Sequence, residues 1–170
     1  TRTAGFNTAD LAGMTDSGKM GMVLLMLIGG SPGSTAGGMK TTTAAVLFAM
    51  AISVFRKNEQ AHLYNRRIAE ETQRNAATIF VLYMMLFLGS AMFISYVEKV
   101  PLLTAFFETA SAVGTVGLSL GLTPKLCLAS RLILVCLMFF GRVGGLTLIF
   151  ATISEKRTEY KYPQEKITVG

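Results

Sequence analysis

Long apolar runs, rather than amphipathic stripes, dominate this sequence. Residues 79–97 contain 19 positions without a charged side chain, and only Arg142 interrupts the 22 positions of residues 132–153. At about 1.5 Å rise per helical residue, each run comes close to or exceeds the roughly 30 Å thickness of a bilayer core. We therefore predict membrane-spanning helices at residues 79–97 and 131–153.

A shorter apolar run lies between these two spans. Residues 101–113 would form a helix of only about 20 Å, which is too short to cross a membrane. Pro101 suits a helix N-terminus, and the glycine-containing residues 114–121 follow directly. This arrangement predicts a re-entrant pore helix at 101–113 that leads into a loop at 114–121.

The first apolar run is too long for one helix. Residues 20–55 carry a single charged side chain, Lys40, and as one helix they would extend about 54 Å. Their middle, residues 29–38, holds five glycines and one proline, a composition that breaks helices. We predict helix, irregular loop and helix, with the loop buried in protein or lining a wet cavity.

Composition and charge agree with an integral membrane protein. Hydrophobic residues make up 51% of the 170 positions and charged residues 15%, below the roughly one quarter that is usual in soluble domains. The net charge is +6, and of the 16 Lys and Arg residues five lie in residues 56–78 and four in residues 155–170. Because basic segments stay on the cytoplasmic side, these are predicted as a cytoplasmic link and a cytoplasmic tail. Topology thus explains the basic charge without a nucleic-acid partner.

Catalytic chemistry is not expected from the sequence. It contains no Ser/His/Asp set, Cys/His set or paired carboxylates at a catalytic spacing, and Cys127 and Cys136 lack companions at metal-ligand spacing. Residues 33–41 are not a phosphate loop, because a methionine separates the last glycine from the lysine and no strand precedes them. We expect neither an enzyme nor a covalent cofactor.

The chain resembles itself at an offset of 112 residues, which aligns residues 3–7 with residues 115–119. We therefore divide it into the end of one repeat at 1–55, the link, a complete repeat at 79–154, and the tail. Because the first unit lacks its front half, we expect the chain to be a fragment of a longer membrane protein. The predicted fold is an all-α integral membrane protein of repeated helix–pore loop–helix units around a central pore.

The repeated Thr-x-Gly segment suits a potassium-selective filter. A K⁺ ion must exchange its hydration shell for backbone carbonyls, and glycine permits the backbone angles that turn carbonyls toward the ion. The C-terminal end of the short helix also favours a cation. The alternative is that these glycines only form turns or pack helices. Ion contact is predicted from the carbonyls of Thr3, Ala4, Gly5, Phe6, Thr115, Val116, Gly117 and Leu118.

These motifs resemble those of the Trk/Ktr/HKT potassium transporter superfamily. The matching segments are TRTAGFNT at 1–8, GGSPGSTAGGMKT at 29–41, FETASAVGTVGLS at 107–119 and FGRVGG at 140–145. The tail at 162–170 is most like that of the Ktr membrane subunit. The resemblance implies a multi-pass protein of the cell membrane that transports K⁺ through four pore repeats, of which this sequence matches the second half.

The same resemblance implies partners. It indicates a homodimer of membrane subunits, a cytosolic nucleotide-binding regulatory ring of the RCK type, similar to KtrA, and contact with membrane lipids. Coupling to Na⁺ or to protons stays open. Since residues 6–7 and 118–119 depart from the Tyr-Gly of tetrameric channels, selectivity looser than a channel's is expected. A simple potassium channel subunit and a non-transporting membrane scaffold are the two alternative classes.

A gate is predicted beneath the filter, because an intramembrane loop at this place in the superfamily resembles a gate. The alternative is a mere packing irregularity. The residues assigned to the gate are Gly29, Gly30, Ser31, Pro32, Gly33, Ser34, Thr35, Ala36, Gly37, Gly38 and Arg142.

Three charged residues near these segments need partners inside the membrane. Arg142 lies about 16 Å into its span, where a charge costs about 2.5–3.5 kcal/mol on insertion scales. The sequence leaves three roles open for Arg142. It could face the pore and repel cations, form a hydrogen bond that holds the loop closed, or form a purely structural hydrogen bond with an interior helix end. Lys40 either reaches the cytoplasmic face or binds a loop carbonyl, and Glu108 is expected to form hydrogen bonds behind the filter.

Overall fold

The computed structural model of the chain describes residues 4–8, 10–11, 13–57, 61–63 and 66–143. These residues are mostly helical, as predicted, and a short antiparallel hairpin is added in the predicted link. In chain order the elements are α1 (Asp16–Leu27), α2 (Thr41–Phe55), β1 (His62–Leu63), β2 (Arg66–Arg67), α3 (Glu70–Glu98), α4 (Leu102–Val113), a 3-10 turn (Thr123–Lys125) and α5 (Leu128–Val143).

Helix α3 is the one helix within the described ranges that is both long and apolar enough to cross a membrane. Only 22% of its most apolar 18-residue window is buried, whereas the core helix of a soluble protein would be mostly buried. Large apolar side chains such as Val81, Met85 and Met92 lie on its exposed surface. Such a surface suits contact with lipid or with further protein inside the membrane.

Several helix ends differ from their predicted positions because local capping, not hydrophobicity, sets them. Helix α1 begins before the apolar run, where the Thr15 hydroxyl accepts the Gly18 N–H at 3.3 Å and caps the helix. Helix α3 begins at Glu70, nine residues before the predicted span, and acidic side chains in its first turn complement the helix dipole. The last part of the predicted link, residues 70–78, is therefore helical.

The second predicted span is described only in part. Helix α5 begins at Leu128, three residues earlier than predicted, and its described part ends at Val143. Residues 144–153 of the predicted span and the predicted tail at 155–170 lie outside the described residues.

Helix α4 lies at the centre of the fold. It packs against α1, α3 and α5, and every side chain from Phe107 to Val113 is buried. One apolar cluster joins it to α1 through Val23 and Met26, and a second joins it to α3 and α5 through Ile94 and Leu134. Helix α4, the short helix predicted to be re-entrant, is thus packed against three helices that are as long as it is or longer.

Helix α5 approaches the end of α4 so closely that only glycine fits at residue 141. A Cβ on Gly141 would overlap the carbonyl oxygen of Val113. From α3, the Tyr83 hydroxyl donates a hydrogen bond to the Gly141 carbonyl at 3.4 Å. Three helices therefore meet at one small residue, and this contact fixes where α4 ends relative to its neighbours.

We expect Gly141→Ala to destabilise the full-length protein by about 1–3 kcal/mol, because the added methyl group forces α5 away from α4. The matched control is Gly89→Ala on α3, where a Cβ would meet no described atom within 4 Å. That change should be neutral or stabilising by up to about 1 kcal/mol, since alanine favours the helix. Thermal unfolding in detergent measures both, and equal effects would contradict the close packing described here.

Candidate functional site

The C-terminal end of α4 reverses the chain and starts the first segment of the site. The Thr115 N–H donates to the Ala112 carbonyl at 3.1 Å, and the Val116 N–H donates to the Ser111 carbonyl at 2.8 Å. With Thr115 in the left-handed region at φ +51°, these bonds form a Schellman motif. The motif satisfies two end carbonyls of α4 and leads residues 115–118 away from the helix axis.

Threonine is an unusual residue at this left-handed position, because a β-branched side chain is strained there. Its hydroxyl accepts the Gly37 N–H at 2.9 Å. A Cβ on Gly37 would lie only 2.7 Å from the Thr115 side chain, so glycine is required on the other side. The strained threonine thus joins the predicted filter segment to the predicted gate loop.

The two predicted filter glycines lie beside each other. Gly5 has φ +71° and Gly117 has φ +86°, so both occupy the backbone region that glycine alone adopts without strain. A Cβ on Gly117 would lie 3.1 Å from the Cα of Gly5. Although 112 positions separate them in the sequence, the two turns touch through their backbones.

The predicted filter residues differ in how far they are exposed to solvent. Val116 and Leu118 are buried, which anchors the second segment in the core. The exposed residues are Ala4, Gly5, Phe6 and Gly117, and Thr115 is half-buried. Thr3 lies outside the described residues. One face of the paired turns is therefore open, next to the position where further protein or an ion would lie.

The predicted gate loop, residues 29–38, lies between α1 and α2, and backbone hydrogen bonds of residues 27–30 with residues 39–41 join its two ends. The Gly29 N–H donates to the Met39 carbonyl at 2.6 Å, and the Met39 N–H donates to the Leu27 carbonyl at 3.2 Å. The Thr41 N–H donates to the Gly30 carbonyl at 3.2 Å. Residues 29–30 and 36–39 are buried, whereas residues 31–35, the tip of the loop, are exposed.

Two cationic side chains bind three consecutive carbonyls at the tip of this loop. Arg142 of α5 donates through Nη1 to the Thr35 carbonyl. Lys40 Nζ donates to the Ser34 carbonyl at 3.0 Å and to the Ala36 carbonyl at 2.6 Å. Of the alternatives left open by the sequence, the structure has Arg142 bonded to the loop and Lys40 bonded to loop carbonyls.

The loop also packs on the ends of α4 and α5 through glycines. A Cβ on Gly38, which has φ +75°, would lie 3.4 Å from the Cα of Gly114. A Cβ on Gly37 would lie 3.1 Å from the Gly141 carbonyl oxygen. The structure therefore brings Gly37 next to Thr115 and Gly38 next to Gly114, while Arg142 is bonded to the loop at Thr35. Ser31, Pro32 and Gly33 lie on the exposed tip.

Sequence reasoning missed two features of this site. It did not find the contact between Gly37 and Thr115, which lie 78 positions apart, because no local pattern reports such a contact. It also did not find the donors that reach Glu108 from residues 119–123. Ser119 and Thr123 are hydroxyl residues in an otherwise apolar stretch, and that spacing was the available signal.

The ligands available to an ion at this site are backbone carbonyls. Across the described ranges, no group of three His, Cys, Asp or Glu side chains could hold a metal ion. Carbonyl oxygens suit a weakly hydrated monovalent cation, which must enter and leave quickly.

Comparison with known proteins gives consistent matches. The family model described as TrkH, cation transport protein, matches residues 1–160. The potassium/sodium uptake protein NtpJ of Enterococcus hirae is 38% identical over 99% of this chain and 39% of its own length. The Ktr system potassium uptake protein B is 34% identical in Bacillus subtilis and in Vibrio alginolyticus, over 99% of this chain and 38% and 37% of the relative. The chain thus spans about two fifths of these curated relatives.

Proposed function

Because this chain belongs to the TrkH family of cation transport proteins, as its motifs predicted, we propose that it is part of the pore-forming subunit of a potassium uptake protein. In this proposal K⁺ passes between backbone carbonyls of residues 3–6 and 115–118. The observation that carries it is the contact between Gly5 and Gly117, two left-handed glycine turns that lie side by side. The names of its relatives, which describe ion uptake proteins, agree with a membrane protein that is not an enzyme.

The chemistry of K⁺ supports a filter of this kind. An ion that leaves water needs a ring of oxygens in place of its hydration shell. Helix α4 ends at Val113, immediately before one of the two segments, and its C-terminal partial negative charge of about half an elementary charge favours a cation there. The superfamily resemblance implies four pore repeats around the ion. Residues 3–6 and 115–118 belong to two of them, so in this proposal the oxygens of the other two repeats come from further protein.

We further propose that residues 29–38 form the gate, with Arg142 and Lys40 as its latch. Both cations hold carbonyls of the loop tip, and the adjoining Gly37 is bonded to Thr115 of the proposed filter. In the latched state, the buried residues that follow the tip would lie against the filter. Releasing it requires breaking charge-assisted hydrogen bonds, each worth about 1.5–3 kcal/mol.

The setting of the protein is proposed from the charge pattern and the relatives. The basic link and tail would face the cytoplasm and would meet lipid headgroups. Two relatives are named as component B of a Ktr system, which indicates a partner in those systems. For this protein we propose a dimer of membrane subunits with a cytosolic nucleotide-binding ring, and uptake coupled to Na⁺.

The filter proposal predicts that Gly117→Ser in the full-length protein lowers the preference for Rb⁺ or K⁺ over Na⁺ by about tenfold or more, because a side chain at φ +86° distorts the carbonyls facing Gly5. Uptake of Rb⁺ with Na⁺ as competitor, in cells that lack their own potassium uptake, measures this preference.

The matched control is Gly33→Ser. Gly33 has φ +83°, and a Cβ there would meet no described atom within 4 Å, so the backbone strain is similar without the contact between the turns. Its cation preference should stay near that of the wild type. If both variants keep the wild-type preference while transporting, the glycines only shape turns and the filter proposal is wrong.

The gate proposal predicts that Arg142→Ala raises the maximal rate of Rb⁺ uptake by about three- to tenfold, because removing one charge-assisted bond to the loop shifts the balance toward an open tip. Arg131→Ala is the matched control: Arg131 lies on the same helix and donates to the Pro124 carbonyl at 2.7 Å, away from the loop. Unchanged uptake in Arg142→Ala, at equal protein amount, would contradict a latch.

A further inference from the structure

Glu108 is a buried carboxylate on α4 that the sequence predicts to form hydrogen bonds behind the filter. It is 3% exposed, in a helix whose other buried residues are apolar or small. A buried charge in a membrane protein is expensive unless hydrogen bonds compensate it. A role in packing alone would be served better by an apolar side chain, so its hydrogen-bond partners indicate what it does.

All the donors to this carboxylate come from one short segment. The Ser119 hydroxyl and the Leu120 N–H donate to Oε1 at 2.6 and 3.0 Å. The Thr123 hydroxyl donates to Oε2 at 2.8 Å. A further bond, from the Gly121 N–H to the Ser119 hydroxyl at 2.9 Å, holds the segment in a compact turn. Both carboxylate oxygens of Glu108 therefore accept hydrogen bonds from residues 119–123.

This segment begins directly after Leu118, the last residue of the proposed filter. The other end of the filter segment is fixed by the Schellman motif of α4 and by the bond between Thr115 and Gly37. Residues 115–118 are thus a short span of backbone held at both ends. Glu108 is the side chain that holds the outer end, and it does so from the helix that precedes the filter.

We infer that Glu108 is a positioning residue that sets cation preference by fixing the outer end of the filter segment. This inference rests on the proposed function. Selectivity depends on how many carbonyls face the ion and at what distance, and such geometry must be held within about 0.5 Å. Without the carboxylate, residues 119–123 lose three hydrogen bonds at once, and the carbonyls of Gly117 and Leu118 adapt to a smaller ion.

The experiment measures Rb⁺ uptake by the full-length protein over a range of Rb⁺ concentrations, with Na⁺ as competitor. Glu108→Ala should lower the ratio of apparent affinities for Rb⁺ and Na⁺ by about tenfold, as expected for the loss of several hydrogen bonds to a charged group. Glu108→Gln keeps an oxygen for Ser119 and Leu120, so its ratio should stay within about threefold of the wild type. A residue that only stabilises the fold would change the maximal rate and leave the ratio unchanged.

Glu98 supplies the matched control. It is a carboxylate at the end of α3 that accepts the Cys127 N–H at 2.8 Å, so it also holds the connection between α4 and α5, but ten positions after Gly117. Glu98→Ala should leave the ratio unchanged. An unchanged ratio in Glu108→Ala, an equal fall in Glu98→Ala, or a Gln variant as impaired as the Ala variant would overturn the inference.

A second variant covers the case in which Glu108→Ala does not fold. Thr123→Val is nearly isosteric and removes the hydroxyl that donates to Oε2 and contacts the Ser119 hydroxyl at 3.1 Å, so its ratio should fall by about threefold; an unchanged ratio would then overturn the inference. Gly117→Ser in the same assay separates the two proposals. If it keeps the wild-type ratio, the filter itself is wrong; if it lowers the ratio while Glu108→Ala does not, only the role of Glu108 is wrong.

Discussion

Backbone amides and carbonyls that leave a helix inside a membrane find no water to bind, so they must pair with each other or line a wet cavity. This constraint explains why three irregular segments of the chain converge. Gly117 touches Gly5, Gly37 donates to Thr115, and Gly38 lies against the end of α4. At each contact a glycine leaves room for the neighbouring segment to approach closely. The remaining open face of the paired turns is where a dehydrated cation would find oxygens.

In the gate loop and in the proposed filter, backbone carbonyl oxygens are the groups that bind a cation. Carbonyls at the loop tip bind the fixed charges of Arg142 and Lys40, while the carbonyls of the filter are proposed to bind a mobile one. The loop also accepts a hydrogen bond from Arg142, an arginine that the sequence predicts to lie about half-way through a membrane span and therefore to need a partner. Strain at Thr115, φ +51°, is offset by the hydroxyl bond that joins the two parts.

Sequence patterns predicted the features that composition and length control. The glycines and proline of residues 29–38 predicted the break between α1 and α2. The helix predicted at 101–113 agrees with α4 to within one residue. The charge pattern predicted a link at residues 56–78 but not the start of α3 at Glu70, because the residues of the first turn determine where a helix begins. The sequence left open whether Lys40 reaches the cytoplasmic face or binds a loop carbonyl, because either environment satisfies the charge of a lysine. The relation between the two repeats and the residues of the filter and gate stay predictions.

The central claim is that two glycine turns replace the water around a monovalent cation. Anomalous diffraction from crystals of the full-length protein soaked in Rb⁺ tests it most directly. The account predicts a rubidium peak at coordinating distance from the carbonyl oxygens of residues 5 and 117, on the open face of the paired turns. Carbonyl oxygens of both residues directed toward lipid, with the rubidium bound elsewhere in the pore, would contradict it.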